Sequence, residues 1–265
     1  MKKRYMAMAL LSLGLLSACT NQAEQPEKQS EVKEPEVKQP VKQEEPSKTT
    51  KENSVAAITQ EEALKNLQQQ LQTDLPITLP KQLPITAGAF LTATTKTATD
   101  MVEIQFLESK EYFTINDARL KNKQDTTVLA RLKVQQYTTE EEAKGQIAFD
   151  NFNDNGGQEV ELGYGLKGYQ DAGAGSLWTS WNEGRWALVA RTRTDNAQAG
   201  VELAKQAVTY LESHMLPIPK QYGYVHLDIQ QEGNVVVWQD GKLVYTLDSV
   251  KEPLTMLEIA TAFYQ

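Results

Sequence analysis

The chain has 265 residues, a formal net charge of −8 at pH 7 and a single cysteine. One thiol excludes an intramolecular disulfide and zinc sites built from several cysteines. The negative charge, with no stripe of basic residues, argues against nucleic acid as a partner.

The first 19 residues have the pattern of a secretory signal. Three basic residues at positions 2–4 precede an apolar run, Met6 to Leu16, that is too short to span a bilayer as a helix. The run ends in Leu16-Ser17-Ala18-Cys19, which resembles the lipobox of bacterial lipoproteins. The resemblance implies that residues 1–18 are removed, that Cys19 receives a diacylglycerol, and that this lipid anchors the protein to the extracytoplasmic face of the cell membrane.

Residues 19–57 are predicted to form a disordered tether behind the lipidated Cys19. Glu, Lys, Gln and Pro dominate this segment, and valine is nearly its only apolar residue, so it cannot bury enough surface to offset chain entropy. Its prolines favour extended backbone, which gives a reach of about 100 Å at roughly 3.1 Å per residue. A binding role for the Lys/Glu run, towards wall polymer or lipid head groups, is the alternative to a solvated spacer.

Residues 58–220 are predicted to form an α+β domain. Its first helix is expected from about Thr59 to Thr73, because Thr59 and Glu62 fit a capping box. Phe90-Leu91 is predicted to lie in a strand or in the residues that lead into one. Alternation of apolar and polar residues predicts strands at 101–107 and 127–137, with a short strand at 112–115 between them.

The second half of this domain begins with a helix after Thr139, with Ile147, Ala148 and Phe152 on its buried side. Strands follow at 158–162 and 166–170. A hairpin is predicted from strands 176–181 and 185–191, with Asn182-Glu183-Gly184 as the turn. Asp195 is expected to cap the next helix, whose apolar stripe continues to His214.

Residues 221–265 are predicted to form a hairpin and helix unit packed on the same domain. Strands are expected at 222–229, 235–239 and 243–248, followed by a helix that begins at Pro253. The pattern Val237-Trp238-x-x-Gly241-x-x-x-Tyr245-x-Leu247, with Leu257-x-Ile259-Ala260 after it, resembles domains of unknown function in Gram-positive envelope lipoproteins and anti-sigma-linked proteins. The whole element order predicts an α+β fold, a mainly antiparallel sheet with about four helices packed on it.

The candidate ligand-binding residues are Trp178, Trp181 and Tyr169. Aromatic side chains spread over a hairpin can form a platform for sugars or peptides. Alternation places Trp178 and Trp181 on opposite faces of their strand, so at least one of them is expected in the core. Plain core packing of all three is the alternative.

The sequence predicts no metal site, no cofactor and no catalytic residues. Asn151-x-Asn153-x-Asn155-Gly156 has the spacing of a calcium loop, but it lacks the first aspartate and the bidentate glutamate. Gly163-x-Gly165-x-x-Gly168 matches the letters of a dinucleotide-binding fingerprint. It lies in a predicted hairpin with no helix after it, so its context argues against dinucleotide binding. Paired carboxylates such as Asp171 and Glu183 remain open, although nothing selects them.

These patterns indicate a lipid-anchored envelope protein without enzymatic activity that binds a protein, peptide or apolar ligand. An envelope hydrolase that uses carboxylates is one alternative, and an accessory ligand-binding receptor is another. The sequence leaves the ligand, the partner and the oligomeric state open.

Overall fold

The computed structural model describes residues 58–121 and 126–264. The predicted signal peptide, the predicted lipid acceptor Cys19 and the predicted tether up to residue 57 lie outside the described residues. No helix of the described part is long and apolar enough to cross a membrane.

Ten β-strands form one sheet in the described part of the chain. In chain order they are β1 (Phe90–Thr97), β2 (Met101–Ser109), β3 (Thr126–Gln136), β4 (Gln158–Gly163), β5 (Leu166–Gly173), β6 (Ser176–Glu183), β7 (Trp186–Arg193), β8 (Gly223–Asp228), β9 (Val235–Asp240) and β10 (Leu243–Asp248). Their order across the sheet is β1-β2-β3-β10-β9-β8-β7-β6-β5-β4. All neighbours are antiparallel except β7 and β8, which are parallel.

Five α-helices accompany the sheet within the described residues. They are α1 (Gln60–Gln70), α2 (Glu140–Lys144), α3 (Phe152–Asn155), α4 (Ala197–Leu211) and α5 (Pro253–Thr261). The chain therefore has the α+β architecture that its element order predicts. Helix α4 makes the crossover between the parallel strands β7 and β8, a connection that strands of this orientation require.

The main core lies between one face of the sheet and α1, α4 and α5. We call this the helix-covered face. On β2, Val102, Ile104 and Phe106 are all 0% exposed, as the alternation of this strand predicts. Each such side chain contributes roughly 1.5–3 kcal/mol by leaving water. Helix α4 approaches closely because Gly200 lies against β7, where a Cβ would stand 2.9 Å from the Thr192 Cγ2 atom.

The other face of the sheet is partly covered by residues 138–157, which we call the cover segment. Ala143 and Ile147 from this segment pack against Val244 of β10 in a second apolar cluster. The Phe149 ring stacks on Tyr222, with centroids 4.0 Å apart. The cover segment contains only the two short helices α2 and α3, so its contacts with the sheet hold it in place.

Several local predictions are confirmed. The Thr59 hydroxyl accepts a hydrogen bond from the Glu62 amide at 3.2 Å, and the Glu62 carboxylate accepts one from the Thr59 amide at 2.8 Å. The hydrogen bonds that the carboxylate accepts from the Thr59 amide and hydroxyl lower the pKa of Glu62, because they favour its charged form. Pro253 occupies the first turn of α5, as its fixed φ predicts.

The predicted strand at 112–115 is wrong. These residues carry no strand hydrogen bonding, and Phe113 instead packs in a small cluster with Leu107 and Leu120. A short apolar run looks the same in a strand and in a buried loop, so its tertiary contacts decide between them.

The helix predicted after Thr139 is shorter than expected and is followed by a separate one. Thr139 caps α2, but the Glu142 carboxylate accepts from the Thr138 amide at 3.1 Å, one residue earlier than a capping box requires. Of the side chains predicted to be buried on this helix, Ile147 is buried, Ala148 is exposed and Phe152 belongs to α3.

Asp195 does not cap α4. It lies in a 3-10 turn, where its carboxylate pairs with Arg193 at 3.3 Å, and α4 begins after Asn196 without a side-chain cap. The turn between β6 and β7 is also displaced from its predicted position. Strand β6 continues through Glu183, so Asn182 is a strand residue and the connection is Gly184-Arg185.

The three C-terminal strands occupy the middle of the sheet. Strand β10 pairs with β3, and β8 pairs with β7, so residues 223–248 join the two halves of the sheet. Tyr245 of β10 is 1% exposed, and its ring stacks on Trp238 of β9 with centroids 4.8 Å apart. These two aromatic residues therefore belong to the core.

Candidate functional site

A pocket of about 430 Å³ lies between the cover segment and strands β5 to β8. The sheet supplies its floor in two cross-strand rows. Tyr169, Ser180 and Val189 are register partners in one row, and Asp171 pairs with Trp178 in the next. The remaining lining residues are Ala148, Asp150, Phe152, Gly156, Gly157 and Tyr224.

The register of β5, β6 and β7 explains why these side chains meet. Residues directly opposite each other in an antiparallel pair point to the same face, so Tyr169, Ser180 and Trp178 all point away from the helix-covered face. The Trp178 indole lies across Gly173, where an added Cβ would stand 3.5 Å from the indole Cζ3 atom. This distance is an ordinary van der Waals contact, so the indole packs on β5 at Gly173.

Asn182 holds the wall of the pocket in position. Its side-chain oxygen accepts from the Phe152 amide at 2.9 Å, and its Nδ2 donates to the Asp150 carbonyl at 2.8 Å. One amide thus anchors two backbone groups of the cover segment to β6. The Tyr169 hydroxyl adds a further link, since it donates to the Asn153 side-chain oxygen at 2.8 Å.

The C-terminal end of the cover segment passes close to β5. Gly157 has a φ of +122°, and a Cβ there would lie 2.8 Å from the carbonyl oxygen of Gln170. Only glycine combines this backbone conformation with so close an approach. The cover segment therefore returns to the sheet at a fixed point beside Tyr169.

The pocket combines aromatic rings with carboxylates. Phe152, Tyr169, Trp178 and Tyr224 line it, together with Asp150 and Asp171, and its lining contains no lysine or arginine. Burial raises the pKa of Tyr224 above its usual value, so this phenol stays neutral at physiological pH. Such a site offers flat apolar surfaces and negative charge, and no group that would hold an anion.

The structure separates the three candidate residues. Tyr169 and Trp178 lie together in the pocket, half-buried. Trp181 is 0% exposed in the main core, where its indole nitrogen donates to Glu183 at 2.8 Å. The interpretation of Trp181 as a ligand contact is therefore wrong, because its position on β6 directs it to the helix-covered face.

The other lining residues were not among the candidates that the sequence pattern indicates. Tyr224 alternates with the buried Val225, so its direction was readable from the sequence. The position of Phe152 was not readable from the sequence, because it depends on the anchoring of the cover segment by Asn182. Asp171 was named from the sequence as a possible carboxylate partner of Glu183, not as a neighbour of Trp178.

Asp171 and Glu183 do not form a carboxylate pair, because they line different cavities. Glu183 borders a cavity of about 320 Å³ with His214, Met215 and Ile218. Burial raises the pKa of Glu183, and the nearby Glu212 charge raises it further. Glu183 is the one carboxylate in the lining of this cavity.

A further cavity of about 630 Å³ lies near the start of β1 and the end of β2 and is lined by residues 86–89, 108–111 and 126–127. Neither Trp178 nor Trp181 borders it. The Glu108 carboxylate already accepts hydrogen bonds from the amide and hydroxyl of Thr86, at 2.7 and 3.0 Å.

Two of the asparagines with calcium-loop spacing, Asn151 and Asn153, bond to other side chains. Asn151 accepts from the side-chain amide of Asn153 at 3.2 Å and donates to the Asp154 carboxylate at 2.6 Å. Within the described residues, no group of three or more His, Cys, Asp or Glu side chains is placed to hold a metal ion.

Comparison of the chain with protein family models, with curated proteins and with solved structures gives no match.

Proposed function

We propose that this protein is a lipid-anchored binding module of the bacterial cell envelope and that the pocket of Tyr169 and Trp178 is its ligand site. The single observation that carries the binding role is this pocket, which brings four aromatic residues and two carboxylates together. The lipobox resemblance at Cys19 supports the proposed lipid anchor, and the polar composition of residues 19–57 supports the proposed tether.

The physical basis of binding is incomplete burial of large rings. Trp178 and Tyr169 are half-buried in the free protein, and aromatic side chains that a ligand covers contribute much of the binding energy in known interfaces. The pocket volume lies in the range of small-molecule sites or of one anchoring side chain from a larger partner. Because the cover segment is already held against the sheet, the protein loses little conformational entropy when a ligand binds.

The binding role is tested by photo-crosslinking in cells. Trp178 is replaced by the photoreactive residue p-benzoylphenylalanine, which reacts with groups a few ångströms away. We expect adducts that depend on illumination. The matched control carries the same residue at Tyr164, an aromatic position in the β4–β5 connection that is 63% exposed and outside the pocket.

Adducts at position 178 that are absent at position 164 support the proposal. The absence of adducts at 178, or the same adducts at both positions, contradicts it. A third variant at Tyr169 repeats the test from the neighbouring strand, so that failure of one variant to fold leaves the proposal testable.

A hydrolase that depends on carboxylates is the second candidate, and the raised pKa of Glu183 is the observation that favours it. A mechanism with an acid and a base needs two carboxyl groups at the reacting bond. The cavity beside Glu183 supplies one in its lining, so binding at the aromatic pocket is the better-supported function.

A further inference from the structure

The charge of the pocket and its surroundings restricts the class of ligand. Residues 148–182, which run from the cover segment to Asn182 of β6, contain five acidic residues and one lysine, a formal net charge of −4. The lysine, Lys167, is already paired with Glu159 at 2.8 Å. The region around the pocket therefore favours positive charge and repels anions.

Arg191 lies on the same face of the sheet, since it is the register partner of Trp178. Its guanidinium donates to the buried Asp228 carboxylate at 2.5 Å and to the Ser176 hydroxyl at 3.0 and 3.1 Å. These three bonds direct the guanidinium charge towards protein partners. Arg191 therefore does not convert this face into an anion site.

Aromatic rings and carboxylates together form a cation site. A ring face attracts an ammonium or guanidinium group, and a carboxylate beside it adds a charge-assisted hydrogen bond. Trp178 and Asp171 are direct cross-strand partners, so a cation over the indole also lies near the carboxylate. Sugars also stack on aromatic rings, but neutral sugars gain nothing from the surrounding negative charge.

We propose that the pocket takes a lysine or arginine side chain from a basic segment of a partner protein. This inference rests on the proposed function of the same pocket and names its ligand class. A peptide is the source that the structure favours, because the acidic charge continues beyond the pocket onto the edge strand β4, where Glu161 lies near the Glu159–Lys167 ion pair. A small ammonium compound confined to the pocket would not reach that charge.

The test is calorimetric titration of the full chain with short peptides that alternate glycine with one other residue. Lysine and arginine peptides are the probes, and glutamine and glutamate peptides of the same length are the controls. We expect binding of the two basic peptides alone, and weaker binding at higher ionic strength. Butylammonium and a neutral oligosaccharide serve as probes of the other ligand classes.

Variants locate the binding. Asp171→Asn and Trp178→Leu should each weaken binding of the lysine peptide about tenfold, through loss of the charge and of the ring face respectively. Trp178→Phe should retain most of the affinity, because a ring remains. Glu258→Gln removes an exposed carboxylate from α5, on the helix-covered face, and should leave binding unchanged.

Each alternative result overturns a defined part of the inference. Oligosaccharide binding that depends on Trp178, or butylammonium binding as tight as that of the peptide, overturns the basic-peptide ligand and leaves the binding role intact. Equal losses from Asp171→Asn and Glu258→Gln show non-specific attraction and also overturn it. Crosslinks at position 178 without any affinity for basic peptides overturn the ligand class alone. The absence of crosslinks at position 178 overturns the proposed function.

Discussion

Arg191 and Asp228 form the most buried ion pair among the described residues. The Asp228 side chain is 0% exposed, and that of Arg191 is 28% exposed. Asp228 also accepts from the Gln230 amide at 2.8 Å, while the Asn234 side chain accepts from the Asp228 amide at 2.7 Å. A carboxylate buried this completely depends on its arginine, because water cannot replace the lost charge.

Arg191→Met should therefore destabilise the protein by about 3 kcal/mol, the usual cost of leaving a buried charge without its partner. The measurement is the free energy of unfolding from urea denaturation at pH 7. Adding Asp228→Asn to this variant should recover part of the loss, because the uncompensated charge is removed.

Arg193→Met is the matched control on the same strand. Arg193 pairs with Asp195, and both side chains are largely exposed, so its loss should have the small effect typical of surface ion pairs. Equal losses for the two variants would show that Asp228 does not depend on Arg191 as described.

Glu183 gives a prediction for pH dependence. Burial raises its pKa above the ordinary 4.5, so between the two pKa values the folded state holds a proton that the unfolded state has lost. The contribution of this group to stability is fully present below the unfolded pKa and is lost as pH rises through the folded pKa.

Glu183→Gln should be more stable than the parent protein at pH 7, because the neutral amide avoids desolvation of a charge and its oxygen still accepts from Trp181. The difference in the free energy of unfolding should shrink as the pH falls from 7 towards about 4.5, and it should change little below that value. A difference that stays constant across this range would contradict the assigned cause.

At the scale of elements, two-residue connections determine how the hairpins pair. The β4–β5 and β5–β6 connections are Tyr164-Gly165 and Ala174-Gly175, and all four residues have positive φ. Turns of this kind match the twist of antiparallel strands but place a side chain in the left-handed region. Ala174, at φ +50°, therefore carries strain that glycine would avoid.

Ala174→Gly should raise the free energy of unfolding by about 1 kcal/mol, since the relief of left-handed strain exceeds the entropy that glycine adds to the unfolded chain. Ala172→Gly, two residues earlier within β5, should instead lower it by about 0.5–1 kcal/mol. Thermal and urea unfolding of the two variants compares them directly. A loss of stability in Ala174→Gly would contradict the strain assigned to this turn.

At the scale of the whole molecule, the sheet has two edges, β1 and β4. Lys96 on β1 and Glu161 on β4 place charges at these edges, and such charges oppose pairing between sheets of different molecules. The proposed lipid at Cys19 and the tether of residues 19–57 would hold this domain near the membrane while leaving it free to reach a partner.

Cys19→Ser should move the protein from the membrane fraction to the soluble or secreted fraction, or leave it unprocessed, because the sulfur proposed to carry the lipid is absent. The measurement is cell fractionation together with the intact mass of the purified chain. Ser17→Ala keeps a small residue in the recognition segment and should leave the membrane fraction unchanged. A parent protein whose mass shows a bare thiol, or retained residues 1–18, would contradict the anchor.

Local sequence determined which way many side chains point. Period-two alternation assigns Val102, Ile104 and Phe106 to one face, and the spacing of Trp178 and Trp181 separates their directions before any contact is known. The capping box at Thr59 was readable for the same reason, since its hydrogen bonds join residues three positions apart.

Tertiary structure alone decided which elements became neighbours. The insertion of β8, β9 and β10 between β3 and β7, and the anchoring of the cover segment by Asn182, both depend on contacts between residues far apart in sequence. Periodicity reports that a face is buried but not which element buries it. The direction of Trp178 is therefore a property of the sequence, whereas the pocket around it is a property of the folded chain.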